Sequence, residues 1–428
     1  MRGVYVLLLI SLLGYTGRVS GQESVTITQC YEWARANYPQ IHQMGLIDQT
    51  ERYSLSNVGK AWLPQLSVSG KASYQSDVTK LPLDGDKISS LLPGFEIPSL
   101  SKDQYQVVAQ VDQTIWDGGS TRSARALTRA EAIANREQLE SELYALNDRV
   151  NQIYFGCLLQ DELIRQNALL QKELQVNIER IEAMMENGVA NQSDLESMEV
   201  ELLNARQNEI ELKASRTVYR QMLATFINKP LTDQVVLKTP ESPERSLSTQ
   251  INRPELRALD AKSEWIETQN KQVTAGLMPR IGAFVQGGYG RPGLNMLEDS
   301  FEPYYVAGVR LSWNLGKLYT LKNDRRKIEV SRRQIDVQRE TFLFNTRLQL
   351  LRQNTEIKKM TDLMRADDDI IRLRTSIKQA AEVKLENGVI SVTDLIREIN
   401  AEDMARQTAA AHRVQRLMTI YNYMYTTN

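Results

Sequence analysis

The sequence predicts long α-helices carrying four β-strands, arranged as two copies of one plan. Three observations predict it. Short motifs recur in the same order, four segments alternate with period two, and two stretches of more than sixty residues almost lack proline and glycine. Asn37-Tyr38-Pro39-Gln40-Ile41 returns as Asn252-Arg253-Pro254-Glu255-Leu256. Leu63-Pro64-Gln65-Leu66 returns as Met278-Pro279-Arg280-Ile281, and Glu186-Asn187-Gly188-Val189 returns unchanged as Glu386-Asn387-Gly388-Val389. Several matches in one order are a duplication, with a period far longer than that of a solenoid repeat.

Taken along the chain, residues 1–21 read as a signal peptide. Arg2 supplies the positive start, Val4 to Leu13 the apolar core, and Ser20-Gly21 the small residues before cleavage. About 10 apolar residues are too few for a spanning helix, which needs roughly 20. Thr26 and Gln29 form a capping-box pattern ahead of a first helix. The first repeat runs over 22–228, a linker over 229–251 and the second repeat over 252–428. Pro230, Pro240 and Pro243 make the linker partly non-helical.

The strands are expected at 65–75, 106–116, 280–289 and 304–315. Leu66, Val68, Ala72 and Tyr74 share one parity against Ser67, Ser69, Lys71 and Ser73. Val107, Ala109, Val111 and Ile115 face away from Gln110, Asp112 and Thr114. Ile281, Ala283, Val285 and Tyr289 repeat the first pattern, with Phe284 breaking the polar side. Tyr305, Ala307, Val309, Leu311 and Trp313 repeat the second. Such alternation suits a strand with lipid on one face and a wet interior on the other. Aromatic residues at the strand ends fit interfacial girdles. The loops 76–105 and 290–303 join the strands of each pair. Four strands cannot close a lipid-facing barrel, since known ones use about eight or more. A spanning role therefore requires a barrel shared between copies.

A single long helix is expected from Ser120 to Asn187. Leu139, Leu143, Leu146, Val150, Ile153 and Cys157 step by four and three along it as a heptad seam. A turn at Gly188 leads to a second helix over 192–228. The second half repeats this with a helix over 321–386, a turn at Gly388 and a helix over 392–425, its heptad less regular. A helix of about 67 residues is about 100 Å long. Asn191 and Ser391 are expected N-caps, with Asp194 and Asp394 three residues on, where a carboxylate favours the helix start.

Composition narrows the function. The net charge of -1 excludes a dominant nucleic-acid footprint. Two His and two Cys leave little for a metal centre, and neither His42 nor His412 has cysteines or acids at ligand spacing. Cys30 and Cys157 read as buried free thiols, with a disulfide between them as the alternative. Nothing resembles a nucleophile elbow. Gly287-Gly288-Tyr289-Gly290 lies within a strand and is no phosphate loop. No enzyme activity and no cofactor are expected.

Thr26-Ile27-Thr28-Gln29-Cys30, Asn37-Tyr38-Pro39, Leu63-Pro64-Gln65-Leu66, Trp116-Asp117-Gly118-Gly119, and the Gly-Val turns with Thr393-Asp394-Leu395 belong together. In this order the chain resembles the TolC-like outer-membrane efflux proteins over essentially its whole mature length. The resemblance implies a homotrimer: a long helical coiled-coil barrel in the periplasm, with four strands per chain in a shared 12-stranded transmembrane β-barrel amid outer-membrane lipid. Loops 76–105 and 290–303 would face outside, and 229–251 would form a belt around the helices. The turns, with Gly188, Val189, Asp194, Gly388 and Val389, would dock a periplasmic adaptor (membrane fusion) protein attached to an inner-membrane transporter. The function implied is a passive exit duct of a tripartite efflux or type I secretion system. Asp394 matches the first aspartate of the family's periplasmic aperture. Where a second is found, this chain has Arg397, followed by Glu398, so a double acidic ring is not implied; the alternatives are an Asp–Arg lock recurring three times in a trimer, or Glu398 on a solvated face. The alternative is an exported coiled-coil structural or adaptor-type protein without a pore.

Overall fold

The computed structural model of the chain describes residues 24–78, 100–242, 250–296 and 298–428. The expected signal peptide, Pro243 and most of loop 76–105 lie outside them. The order helix, strand, strand, long helix, turn, helix occurs twice. The first pass comprises α2 (Gln43–Gly59), β2 (Gln65–Tyr74), β3 (Asp103–Trp116), α3 (Ser120–Tyr144), α4 (Leu146–Glu186) and α5 (Gln192–Ile227). The second comprises α6 (Pro254–Ala275), β5 (Arg280–Arg291), β6 (Glu302–Ser312), α7 (Lys317–Glu386) and α8 (Val392–Thr427). Ahead of the first pass stand β1 (Ser24–Val25) and α1 (Ile27–Asn37), and β4 (Val236–Leu237) lies between the passes. Among the described residues no helix is long and apolar enough to cross a membrane.

One departure from the expected helices matters. The first long helix is interrupted at Ala145, between seam residues Leu143 and Leu146, although all six seam residues are buried. Its counterpart α7 runs unbroken for 70 residues, about 105 Å at 1.5 Å per residue.

The chain forms two compact units, each drawing on both halves of the sequence. One holds residues 44–137 and 257–339, the other the remainder. The first unit contains an antiparallel sheet in the order β2-β3-β5-β6. Its register puts Leu66 beside Val111, Val111 beside Val285, and Val285 beside Ala307. Cross-strand partners share a face, so one face is apolar from edge to edge. That face is bare: Leu66 is 72%, Val68 69%, Val309 70% and Tyr305 79% exposed. Large apolar groups this exposed are costly in water, so the face implies another solvent. Ile115 does not continue the apolar parity. The register shifts between Thr114 and Trp116, and Trp116 takes the place opposite Ile281. Such a bulge adds one residue and reverses the alternation beyond it.

The other face is polar and internally bonded. Gln110 Nε2 donates to Asp112 Oδ2 at 2.7 Å, and Gln106 donates to the Tyr304 hydroxyl. Phe284, the exception to that parity, lies 4.8 Å beneath the Arg310 guanidinium, opposite Gly308. The glycine leaves room for the ring, which covers the bare backbone. Tyr304 likewise occupies the space a side chain at position 288 would take.

The second unit has its core where α1, α4 and α5 meet the short β1–β4 ladder. Thr26 and Gln29 form the capping box that starts α1. Cys30, Val150, Tyr154, Phe155, Cys157, Leu223 and Ile227 pack together. The Tyr154 hydroxyl sits 2.9 Å from the Val25 carbonyl and 2.7 Å from that of Lys238. Both cysteines are buried free thiols, and burial pushes each thiol up to about 12. Gly156 lets α5 approach, because a Cβ there would lie 2.5 Å from the Tyr219 ring.

Candidate functional site

The site is built at the two turns of the second unit, where identical sequence makes identical structure. Gly188 and Gly388 take φ of 73° and 68°, left-handed backbone that glycine adopts without Cβ strain. Behind each glycine the helix ends in a Schellman motif. Gly188 N–H donates to the Met185 carbonyl at 2.9 Å and Val189 N–H to that of Met184 at 2.9 Å. Gly388 and Val389 donate likewise to Leu385 and Lys384, at 2.9 and 2.8 Å. With the carbonyls satisfied locally, Val189 and Val389 are left projecting, 57% and 68% exposed.

The next helix of each pair starts with a full capping box, Asn191 with Asp194 and Ser391 with Asp394. Beneath the turns Leu174, Ile178 and Ile181 of α4 meet Met198 and Leu202 of α5. Leu385 of α7 with Leu395 and Ile399 of α8 joins the same cluster.

Asp394 therefore has a definite local task. Its Oδ2 accepts from the Ser391 hydroxyl at 2.8 Å and the Ser391 N–H at 3.2 Å, and its Oδ1 accepts from Arg397 Nη2 at 2.9 Å. Those bonds from Ser391, aided by Arg397, hold its carboxyl below the usual range. Arg397 is exposed and also lies 3.7 Å from Glu398. Glu398 is not on a free solvated face. Its side chain is mostly covered and lies 3.4 Å from Arg374 of α7. The structure thus brings Asp394, Arg397 and Glu398 into one charge string on one chain. Asp194 carries only the cap.

One turn further from the tip lies a buried charge cluster that the sequence reading missed. Glu402, 2% exposed, accepts from Thr375 Oγ1 at 2.5 Å and from Arg406 Nε at 3.0 Å, and its other oxygen is 2.6 Å from Lys378 Nζ. Lys378 also pairs with Glu173 of α4. Burial opposes the charge on Glu402, but the Lys378, Thr375 and Arg406 bonds outweigh it and keep its carboxyl below the usual range. Neighbouring Asp403 feels Arg406 only weakly. Burial, with Glu173 and Glu402 nearby, pushes it up to about 6 against a hydrogen bond from Gln407. Polar links continue along α7 and α8. His412 Nδ1 lies 2.7 Å from Asp367 Oδ2, Arg416 Nε donates to Thr361 at 3.0 Å, and Gln353 donates to Thr426 at 3.1 Å. A signal existed in the sequence. Stepping by four and three from Leu395 gives Ile399, Glu402, Arg406 and Ala409, so charged residues occupy seam positions.

Helical hairpins with capped turns and a four-stranded sheet with an apolar face, in one chain, are a fold shared with solved structures. CusC, solved for its transmembrane channel formation, superposes with a TM-score of 0.66 at 14% identity, covering 94% of this chain and 92% of that one. The open-state MtrE outer membrane channel of Neisseria gonorrhoeae gives 0.62 at 14% identity, covering 94% and 88%. The outer membrane protein VceC of Vibrio cholerae gives 0.62 at 12%, covering 93% and 95%. A search among curated proteins finds no match. Residues 30–229 match the model of the outer membrane efflux protein family. The matched segment is just under half of the chain, and it ties the first repeat to that family.

Proposed function

We propose that three copies of this chain form a passive exit duct through the outer membrane, acting within a tripartite efflux or type I secretion system. The observation that carries the reading is the sheet: an apolar face exposed from edge to edge, and outer edges of β2 and β6 without a strand neighbour among the described residues. Open edges and a bare apolar face are both satisfied when copies close a 12-stranded barrel in lipid. A second support comes from α7, where Leu363, Ile370, Leu373 and Ile377 follow heptad spacing and are 36–52% exposed on the isolated chain. Such a stripe suits packing between copies.

On this reading the repeats 22–228 and 252–428, joined by the belt 229–251, give a threefold tunnel with pseudo-sixfold helical ends. Gly188, Val189, Asp194, Gly388 and Val389 form tips that dock a periplasmic adaptor, which links the duct to an inner-membrane transporter. Asp394, Arg397 and Glu398 form the aperture ring. An Asp394–Arg397 lock between chains would compete with the 2.9 Å pair within each chain, so the ring closes through mixed charges and not through an acidic double ring.

Negative-stain electron microscopy of protein extracted from outer membranes in mild detergent, without heating, tests this. A threefold tapered cylinder longer than about 100 Å, with detergent at one end, is the expected result. Soluble dimers or bare rods would instead favour an exported coiled-coil structural protein.

A further inference from the structure

Within the unit that carries the sheet, a groove of about 920 Å³ opens between α3 and α6, lined among others by Trp62, Arg122, Arg125, Arg129, Lys271 and Met278. Arg122, Arg125 and Arg129 repeat at helical spacing and are exposed, as is Lys271. None of the four cations has an ion pair or hydrogen-bond partner among the described residues. Four unpaired cations around one groove repel one another, so the arrangement is strained in favour of an anion.

Two features say which side the groove faces and what reaches it. Ser120 lines the cavity under the polar face of the sheet, beside Asp112, Phe284 and Arg310. Leu127, a heptad on, lines a separate groove with Lys317 and Lys327. At 100° per residue, Arg122, Arg125 and Arg129 lie on the side of α3 opposite Ser120 and Leu127. The basic groove shares Asp117 and Thr121 with the cavity under the polar face. By this helical geometry, however, its three arginines project away from that cavity, toward the apolar side of the sheet at its helical end, where Trp62, Trp116 and Trp313 are each 40% or more exposed. Because β3 and β5 are paired in the middle of the sheet, the groove lies under the centre of one chain's strands.

We propose that this groove binds the headgroup of an anionic phospholipid in the leaflet at the helical end of the strands. The arginines hold the phosphates, and Trp62 and Met278 meet the glycerol and upper acyl region. The proposal rests on the membrane-spanning reading above. A cationic cluster beside an aromatic belt at a bilayer surface suits such a headgroup.

Native mass spectrometry of the assembled protein in mild detergent tests it, with dioleoyl-phosphatidylglycerol and dioleoyl-phosphatidylethanolamine added in turn. The expected result is phosphatidylglycerol retained at least about tenfold better, with the preference lost in the variant Arg122→Gln/Arg125→Gln/Arg129→Gln/Lys271→Gln. The control Lys317→Gln/Lys327→Gln removes charge from the opposite side of the helices and should keep the preference. If the fourfold variant does not assemble, Arg125→Gln alone should still lower the preference severalfold. Equal retention of the two lipids, or an equal loss in the control, overturns the proposal. Displacement by excess inorganic phosphate also overturns it, since the groove would then be a site for free anions. The same spectrum reports assembly. An assembled protein without lipid preference defeats this inference alone, whereas a protein that never assembles defeats the duct reading and this inference together.

Discussion

The two helical hairpins of the second unit turn in the same way and are sealed differently. Near its tip the α4–α5 pair closes through Leu174, Ile178 and Ile181 against Met198, Leu202 and Ala205. In the α7–α8 pair too the buried apolar cluster lies near the turn. Polar links follow it in both pairs, but those of α4–α5, Gln171 with Glu209 and Arg216 with Asp161, leave their carboxylates partly exposed. Those of α7–α8 are Lys378 and Thr375 with Glu402, Asp367 with His412, and Thr361 with Arg416. An apolar seam is non-directional and tolerates sliding without a discrete change of state. A seam of buried hydrogen-bonded charges holds one register, and each link is either made or lost. The two seams are therefore expected to answer differently to substitution, the buried charged one by the discrete loss of a link.

The comparison can be broken at several points. The largest effect is expected from Ile181→Ala, which empties a fully buried site in the apolar seam. It should cost about 4 kcal/mol, read from the denaturant midpoint, without changing single-channel conductance. Lys378→Ala should cost about 3 kcal/mol, because it removes the cation that Glu402 and Glu173 share and leaves Glu402 only Arg406 and Thr375. It should also raise conductance in planar bilayers, with Lys378→Arg restoring the wild-type value. An unchanged conductance would remove the expected difference between the two seams.

Gly156→Ala should cost about 2 kcal/mol, because the Tyr219 ring must move. A Tyr219→Ala partner substitution should recover most of the strain. Asn191→Ala and Ser391→Ala each remove an N-cap, for about 1 kcal/mol. Ser391→Ala should in addition lift the depressed Asp394 carboxyl toward its ordinary range, measurable by carboxyl NMR.

The smallest effect is in pH dependence. Asp403 has its folded pKa raised to about 6. Its burial therefore disfavours folding above pH 6, and stability is gained as pH falls from about 6 toward the ordinary carboxylate range. Glu402 is shifted the other way, so its contribution is present at neutral pH and fades only below that range. Asp403→Asn should abolish the gain between pH 7 and 5 and leave the acid loss from Glu402 in place.

Much of this was legible in the residues. Strand parity, the Gly-Val turns and the acids at N3 rest on interactions within a few residues, where spacing alone determines geometry. Thr26 with Gln29, and Ser391 with Asp394, pair as their spacing requires because a helix start leaves the same N–H groups free each time. The site was legible in its turns but not in its charges. Glu402 was visible as a polar residue at a seam position beside Arg406, yet its other partners, Lys378 and Thr375, lie far back in the sequence on α7. Likewise, nothing near His412 in sequence points to Asp367.

The sequence by itself determined the duplication, the element types, the amphipathic strands and the capped turns, all of them consequences of local periodicity and backbone chemistry. Only the tertiary structure decided that the long first helix breaks at Ala145 while its counterpart does not, and that the bulge at Ile115 hands the apolar face to Trp116. It also decided that four arginines and lysines share one groove, and that the polar links of one hairpin bury their carboxylates while those of the other leave them partly exposed. Those outcomes depend on which distant side chains meet, and contact between distant residues follows from packing the whole chain, not from spacing along it.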